Sequence, residues 1–187
     1  ETTEEAFNLL ENLLRWTRNQ NGKTKIYATL FNLTPVARQV VSLFSAIANA
    51  KEIELINRIE GKFDIFADED MIKTVLRNLI SNAIKFTYTG GQVELSLADS
   101  GDYWTIYVKD NGKGIPKDLQ AHLLKSDEYI TTYGTHNEKG SGLGLILCRD
   151  FIRMNKGKLH FYSQEGIGTT FYFTIPKASS SAEAVSR

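Results

Sequence analysis

Val93-Glu94-Leu95-Ser96-Leu97, a turn at Ser100-Gly101, and Trp104-Thr105-Ile106-Tyr107-Val108 form the stretch on which the fold turns. Apolar and polar residues alternate on both sides of the glycine, the pattern of a hairpin with one face on a core. A second hairpin is predicted from Leu159–Tyr162 and Thr169–Ile175. Hairpins require antiparallel pairing, so a wholly parallel sheet is excluded. Upstream, Thr34-Pro35 reads as a cap and first turn opening a helix to about Ala50, with Val36, Val40, Phe44 and Ile47 inward. Short strands are expected at 25–31, around Ile53, Leu55 and Ile59, and at Phe63 and Ile65. Asp68 caps a helix to about Thr87, a short helix starts at Pro116, and Leu143 to Met154 is helical. The fold class is therefore α/β: a two-layer sandwich of one mixed, mostly antiparallel sheet with helices on one face.

The 187 residues suit one domain with an appendage. The 22 Lys+Arg balance 22 Asp+Glu, which removes the electrostatic case for coating nucleic acid. No apolar run reaches the roughly 20 residues that span a bilayer, so no membrane contact is expected. The single Cys148 excludes an intrachain disulfide and agrees with a reducing compartment. Residues 3–20 read as an amphipathic helix, with Phe7, Leu10 and Leu14 on one stripe beside Leu9, Leu13 and Trp16, ended by Gly22. The first residue is Glu1 rather than Met, which reads as a fragment of something longer. The expected organisation is 1–22 as a helix needing a partner, 23–176 as the domain, and 177–187 as a serine-rich tail.

Of 14 glycines only Gly22 and Gly61 precede residue 90. The later ones cluster in Asp110-Asn111-Gly112-Lys113-Gly114-Ile115-Pro116 and Lys139-Gly140-Ser141-Gly142-Leu143-Gly144-Leu145. The first follows a strand: a carboxylate at its end can accept from an exocyclic amine while glycines let the chain turn around a flat ring. The same residues also read as an ordinary turn. The second opens a helix, where backbone N–H groups form an anion site. It is neither a dinucleotide fingerprint, lacking the preceding strand, nor a Walker loop. On the helix from Asp68, Asn78, Asn82 and Lys85 fall on one strip: Asn82 lies about 40° from Asn78, and Lys85 about 20° to the other side. The strip borders the apolar one of Val75, Leu79, Ala83 and Phe86. Amide oxygens suit a hard cation and lysine suits phosphate, although asparagines at a core rim read the same way.

The succession Asn-x-x-x-Asn-x-x-Lys-Phe, Asp-x-Gly-x-Gly, Gly-x-Gly-Leu-Gly-Leu and Gly166-Ile167-Gly168-Thr169-Thr170-Phe171 resembles the catalytic, ATP-binding domain of sensor histidine kinases, over about Phe31 to Pro176. The segment Leu9–Trp16 is similar to the end of the second helix of that family's dimerisation and phosphoacceptor hairpin. The resemblance implies the Bergerat-type ATP-binding fold, with ATP and Mg²⁺ as cofactors. Asn82 would supply an oxygen to the metal, with Asn78 and Lys85 beside it and Phe86 against the nucleotide. Asp110 would accept from the adenine amine, with Gly112, Gly114 and Ile115 shaping the base pocket. Gly140, Ser141, Gly142, Leu143, Gly144 and Leu145 would form the phosphate loop, and Thr170 would close the adenine side. The polar stretch 121–139 matches the family's lid, from which Thr131 or Lys139 could reach the terminal phosphate. Where the family often carries a phenylalanine there, this chain reads His122-Leu123-Leu124-Lys125.

The implied reaction moves the γ-phosphoryl group of ATP to a histidine on a dimerisation hairpin, for relay to a response regulator receiver domain. The implied full-length protein is a homodimer, commonly membrane-anchored with this domain in the cytoplasm. None of His122, His136 and His160 matches the family's acceptor motif. The fold also resembles that of gyrase, mismatch-repair and chaperone ATPases, which place a glutamate base one turn before the metal-binding asparagine. Here that position is Asn78, whose amide cannot take a proton from water as a carboxylate does. A nucleotide-binding docking module without catalytic output is the remaining alternative.

Overall fold

The computed structural model describes residues 25–123, 134–136 and 143–177. The reading of residues 3–20 as a helix ended by Gly22, and that of the tail beyond Lys177, lie outside them. Strand β1 (Thr29–Asn32) leads into helix α1 (Leu33–Ala50), followed by β2 (Glu54–Asn57), β3 (Asp64–Ala67) and helix α2 (Glu69–Phe86). The hairpin β4 (Gln92–Ser100) and β5 (Tyr103–Asp110) comes next, then the one-turn helix α3 (Lys117–Gln120). Helix α4 (Gly144–Met154) and a second hairpin, β6 (Leu159–Gln164) and β7 (Gly168–Pro176), close the domain.

Five strands form a sheet in the order β2-β4-β5-β7-β6. Only β2 and β4 are parallel; the other pairs are antiparallel. The expectation of a single sheet needs one refinement. β1 and β3 form a separate antiparallel ribbon, touching the main domain through the bridge Ile65–Lys177. Alternation fixes the buried face: Val93 and Leu95, Ile106 and Val108, Phe171, Phe173 and Ile175 point under the helices. Against them α2 buries Ile72, Val75, Leu76, Leu79 and Ile80, and α4 buries Leu147, Phe151 and Ile152. Among the described residues, no helix is long and apolar enough to cross a membrane.

Three local expectations are corrected. Asn32, not Thr34, caps α1: its Oδ1 accepts from the N–H of Thr34 (3.1 Å) and that of Phe63 (3.1 Å). The Thr34 hydroxyl instead donates to the Gly61 carbonyl (2.8 Å). Ile47, expected inward, is 56% exposed, and the buried residue of that turn is Ala48. Lys177, read as the start of the tail, is bound to the domain. Its ammonium lies 2.6 Å from Asp99 Oδ1 and 4.3 Å from the centre of the Trp104 ring.

Candidate functional site

Helix α2 is set in place from its first residue. Asp68 caps it, Oδ1 accepting from the Met71 N–H (3.1 Å) and Oδ2 from that of Tyr27 (2.9 Å). The Asp68 N–H donates to Oδ1 of buried Asn155, at the C-terminal end of α4 (2.7 Å). The other end of α4 meets α2 at Asn78: a Cβ on Gly144 would lie 2.7 Å from Asn78 Oδ1. The two helices therefore run antiparallel, and α4 delivers its N-terminus to the strip of α2 that carries Asn78, Asn82 and Lys85. Among the described residues, no side chain caps that N-terminus.

Between this pair and the open end of the sheet lies a cavity of about 540 Å³. Helix α2 contributes Asn78, Asn82, Ala83, Lys85 and Phe86; the strand end and following loop give Asp110, Lys113, Gly114 and Ile115. Gly144 and Leu145 of α4 and Thr169 and Phe171 of β7 line it as well. The ammonium groups of Lys85 and Lys113 lie 5.1 and 5.0 Å from the centre of the Phe86 ring, close enough for cation–π attraction.

Asp110 is nearly buried at the end of β5. Its Oδ1 accepts from the N–H groups of Gly112 (2.9 Å) and Thr169 (3.1 Å). Both donors go to Oδ1, and Asp110 is among the residues lining the cavity. Burial pushes the carboxyl from 3.8 up to about 6, against the smaller opposing effect of the two N–H donors.

The loop after Asp110 is stitched on both sides. The Lys113 N–H donates to the Phe86 carbonyl (3.0 Å), and the Lys113 carbonyl accepts from the Gly166 N–H (2.8 Å). The Ile115 N–H donates to Ser163 Oγ (2.9 Å). Glycine is required by contact here: a Cβ on Gly112 would overlap the Phe86 carbonyl, and one on Gly114 that of Gln164. Gly112 thus packs behind the cavity instead of lining it. Leu143 also stands behind it, buried, its carbonyl accepting from the Leu147 N–H (3.0 Å). Thr170 is displaced from its expected place for a simple reason. Neighbours on a strand face opposite ways, and Thr169 and Phe171 take the cavity side. Thr131, Lys139, Gly140, Ser141 and Gly142 lie outside the described residues.

Lys113, Glu165 and Thr169 also line the cavity, beyond the residues that the sequence predicts for it. Lys113 sits inside the Asp-x-Gly-x-Gly motif and was legible there as a basic side chain. Glu165 is brought in only by the pairing of β6 with β7.

An α/β sandwich that holds such a cavity between its helical layer and its sheet end defines a class of nucleotide-binding domains, and the sequence comparison agrees. The family described as "Histidine kinase-, DNA gyrase B-, and HSP90-like ATPase" matches residues 67–179. The chain belongs to that family.

It is similar to the adaptive-response sensory kinase SasA of Crocosphaera subtropica, 30% identical over 170 residues, covering 90% of this chain and 44% of that one. The chain thus spans less than half the length of that relative. Among solved structures, the catalytic domain of histidine kinase ThkA is 31% identical with a TM-score of 0.69, covering 81% of this chain and 96% of that one. ThkA in complex with response regulator protein TrrA matches at 26% identity and a TM-score of 0.69, over 96% and 53% of the two chains. Full-length ShkA in complex with AMPPNP matches at 26% identity and a TM-score of 0.77, over 95% and 37%.

Proposed function

We propose that this chain is the ATP-binding catalytic domain of a sensor histidine kinase, and that the cavity between α2, α4 and the sheet end takes the nucleotide. The observation that carries the reading is the meeting of three motifs, distant in sequence, around one cavity. Asp110 Oδ2 would accept from the adenine amine, with Gly114 and Ile115 along the base and Phe86 against it. Lys85 and the N–H groups opening α4 at Gly144 would hold the phosphates, which favour a helix N-terminus.

The donor set also fits Mg²⁺. Among the described residues no cluster of three or more His, Cys, Asp or Glu could hold a metal by itself. The cavity instead offers the amide oxygens of Asn82 and Asn78, which suit an ion that keeps waters and takes most ligands from phosphate. Asn82 would hold the metal, whose chemistry is to neutralise charge on the phosphates.

The chain's own contribution is positioning and charge neutralisation. A neutral imidazole nitrogen of an acceptor histidine would attack the γ-phosphorus as the bond to the ADP oxygen breaks. That histidine would stand on a dimerisation hairpin in a homodimer, and a response regulator receiver domain would take the phosphoryl group from it. Hydrolysis is disfavoured by a specific feature. The carboxylates lining the cavity, among the described residues, are Asp110 and Glu165, both from the sheet end. Asn78 stands where a base on α2 would be, and its Nδ2 donates to the Thr74 carbonyl (3.0 Å).

Calorimetry with ATP, with and without Mg²⁺, tests the reading. Wild type should bind in a Mg²⁺-dependent manner, and Asn82→Ala should lose that dependence. With γ-labelled ATP, label should pass to a supplied acceptor hairpin. Rapid phosphate release without any acceptor would overturn the kinase reading in favour of hydrolysis.

A further inference from the structure

We infer that Thr135 is a positioning residue for Lys85, acting from outside the cavity on the backbone that presents the lysine. The last carbonyls of a helix have no partner within it and must find donors elsewhere. At the end of α2, which carries Lys85 and Phe86, the Lys113 N–H takes the carbonyl of Phe86, and two other distant parts of the chain supply donors to the carbonyls before it. Buried Lys51, at the C-terminal end of α1, sends its ammonium to the carbonyls of Ile84 and Lys85 (3.0 Å each). Thr135 sends its N–H to the Lys85 carbonyl (3.1 Å). Its hydroxyl lies 3.2 Å from that carbonyl and 2.9 Å from the carbonyl of Thr87, sharing one proton between them. Beside it, the His136 ring nitrogen Nε2 lies 3.3 Å from Thr89 Oγ1.

Three donor groups thus converge on the peptide of Lys85, and two of them belong to Thr135. Thr135 does not line the cavity, so it touches no ligand there. Its effect runs through the Lys85 carbonyl to the ammonium group on the other side of the same residue. If the Thr135 contact favours a phosphate held by Lys85, the phosphate favours the contact by the same factor, as linkage requires. The adenine amine, held through Asp110 on a different element, is outside this coupling, and only the Phe86 ring beside Lys85 links the base to it.

The inference rests on the proposed ATP site, and the experiment separates the two. The whole 187-residue chain is titrated with ATP plus Mg²⁺ and with adenosine. Thr135→Val keeps the N–H and the shape but removes the hydroxyl. It should weaken ATP about three- to tenfold, the range for one hydrogen bond, and weaken adenosine distinctly less. Thr135→Ser should restore wild-type affinity, and in a Lys85→Met background Thr135→Val should add nothing. Hydrogen exchange supplies a reading that needs no variant at position 135: ATP should protect the Thr135 amide in wild type and not in Lys85→Met. Wild type that does not bind ATP would sink the site and this inference together. Wild type that binds ATP, with Thr135→Val indifferent or equally weakened for ATP and adenosine, would overturn the positioning role alone. Failure of Thr135→Ser to rescue would overturn it as well, by tracing the effect to shape.

Discussion

Asp110→Asn should make the nucleotide-free domain more stable while loosening its hold on ATP. The two side chains are nearly isosteric, and an amide Oδ1 can still accept from Gly112 and Thr169. What is lost is the charge. Burial raises this carboxyl from 3.8 to about 6, so the folded chain holds the proton more tightly than the unfolded one. The group's contribution to stability is therefore fully present below pH 3.8 and is lost as pH rises through about 6. At about 1.4 kcal/mol per pH step, the gap amounts to about 3 kcal/mol above pH 7. Asparagine escapes most of that cost. For a chain of this length, the corresponding rise in Tm is about 6–12 °C. The advantage should fall to about half by pH 5, where the folded wild type is largely protonated. Urea and thermal unfolding of both proteins at pH 7.5 and pH 5 measure it. ATP affinity should drop about ten- to a hundredfold, the worth of a charged hydrogen bond. GTP, which lacks the amine at that ring position, should lose little. A variant no more stable than wild type at pH 7.5, or an advantage that persists undiminished at pH 5, would refute the buried-charge reasoning. An equal loss for ATP and GTP would refute the base contact.

Two further perturbations address the frame around the site. Gly112→Ala forces a Cβ into the Phe86 carbonyl; backbone cannot yield as a side chain can, so stability should fall by about 1–3 kcal/mol in urea unfolding. Lys51→Met leaves the carbonyls of Ile84 and Lys85 without their buried cation. It should destabilise the domain by about 3 kcal/mol, seen as a lower denaturation midpoint.

The parts of the fold that were legible in sequence rest on local periodicity and local chemistry. Alternation gave both hairpins, and Asp68 caps α2 because its own carboxylate reaches Met71 three residues on. The turn of 100° per residue put Asn78, Asn82 and Lys85 on one strip, and all three line the cavity. The failures are where a distant partner decides. Asn32 takes the cap of α1 because the same oxygen also binds the Phe63 N–H, 31 residues away in sequence. Ile47 satisfies the helical period yet faces outward, because burial depends on what packs opposite and not on the period alone. The choice between Thr169 and Thr170 is one of strand register, where a single step reverses the side. Lys51 and Thr135 carry no motif, and their importance exists only in the folded chain.

The electrostatics of the cavity suit the proposed polyphosphate although the chain carries no net charge. The positive end of a helix dipole faces it, at the N-terminus of α4, which no side chain caps among the described residues. The C-terminal end of α2 is there too, and its carbonyls would by themselves repel an anion. Lys51 and Thr135 occupy the carbonyls of Ile84, Lys85 and Thr87. The negative end is thereby covered, and Lys85 projects from it as a cation. The basic groups needed are few because they are placed at helix ends, where partial charges already concentrate, and not spread over a surface. On the proposed reading Lys51 would act twice, on the stability of α2 and on the field that a phosphate would meet. Removing it should cost ATP affinity even at temperatures where the domain remains folded, which separates the field from simple loss of structure.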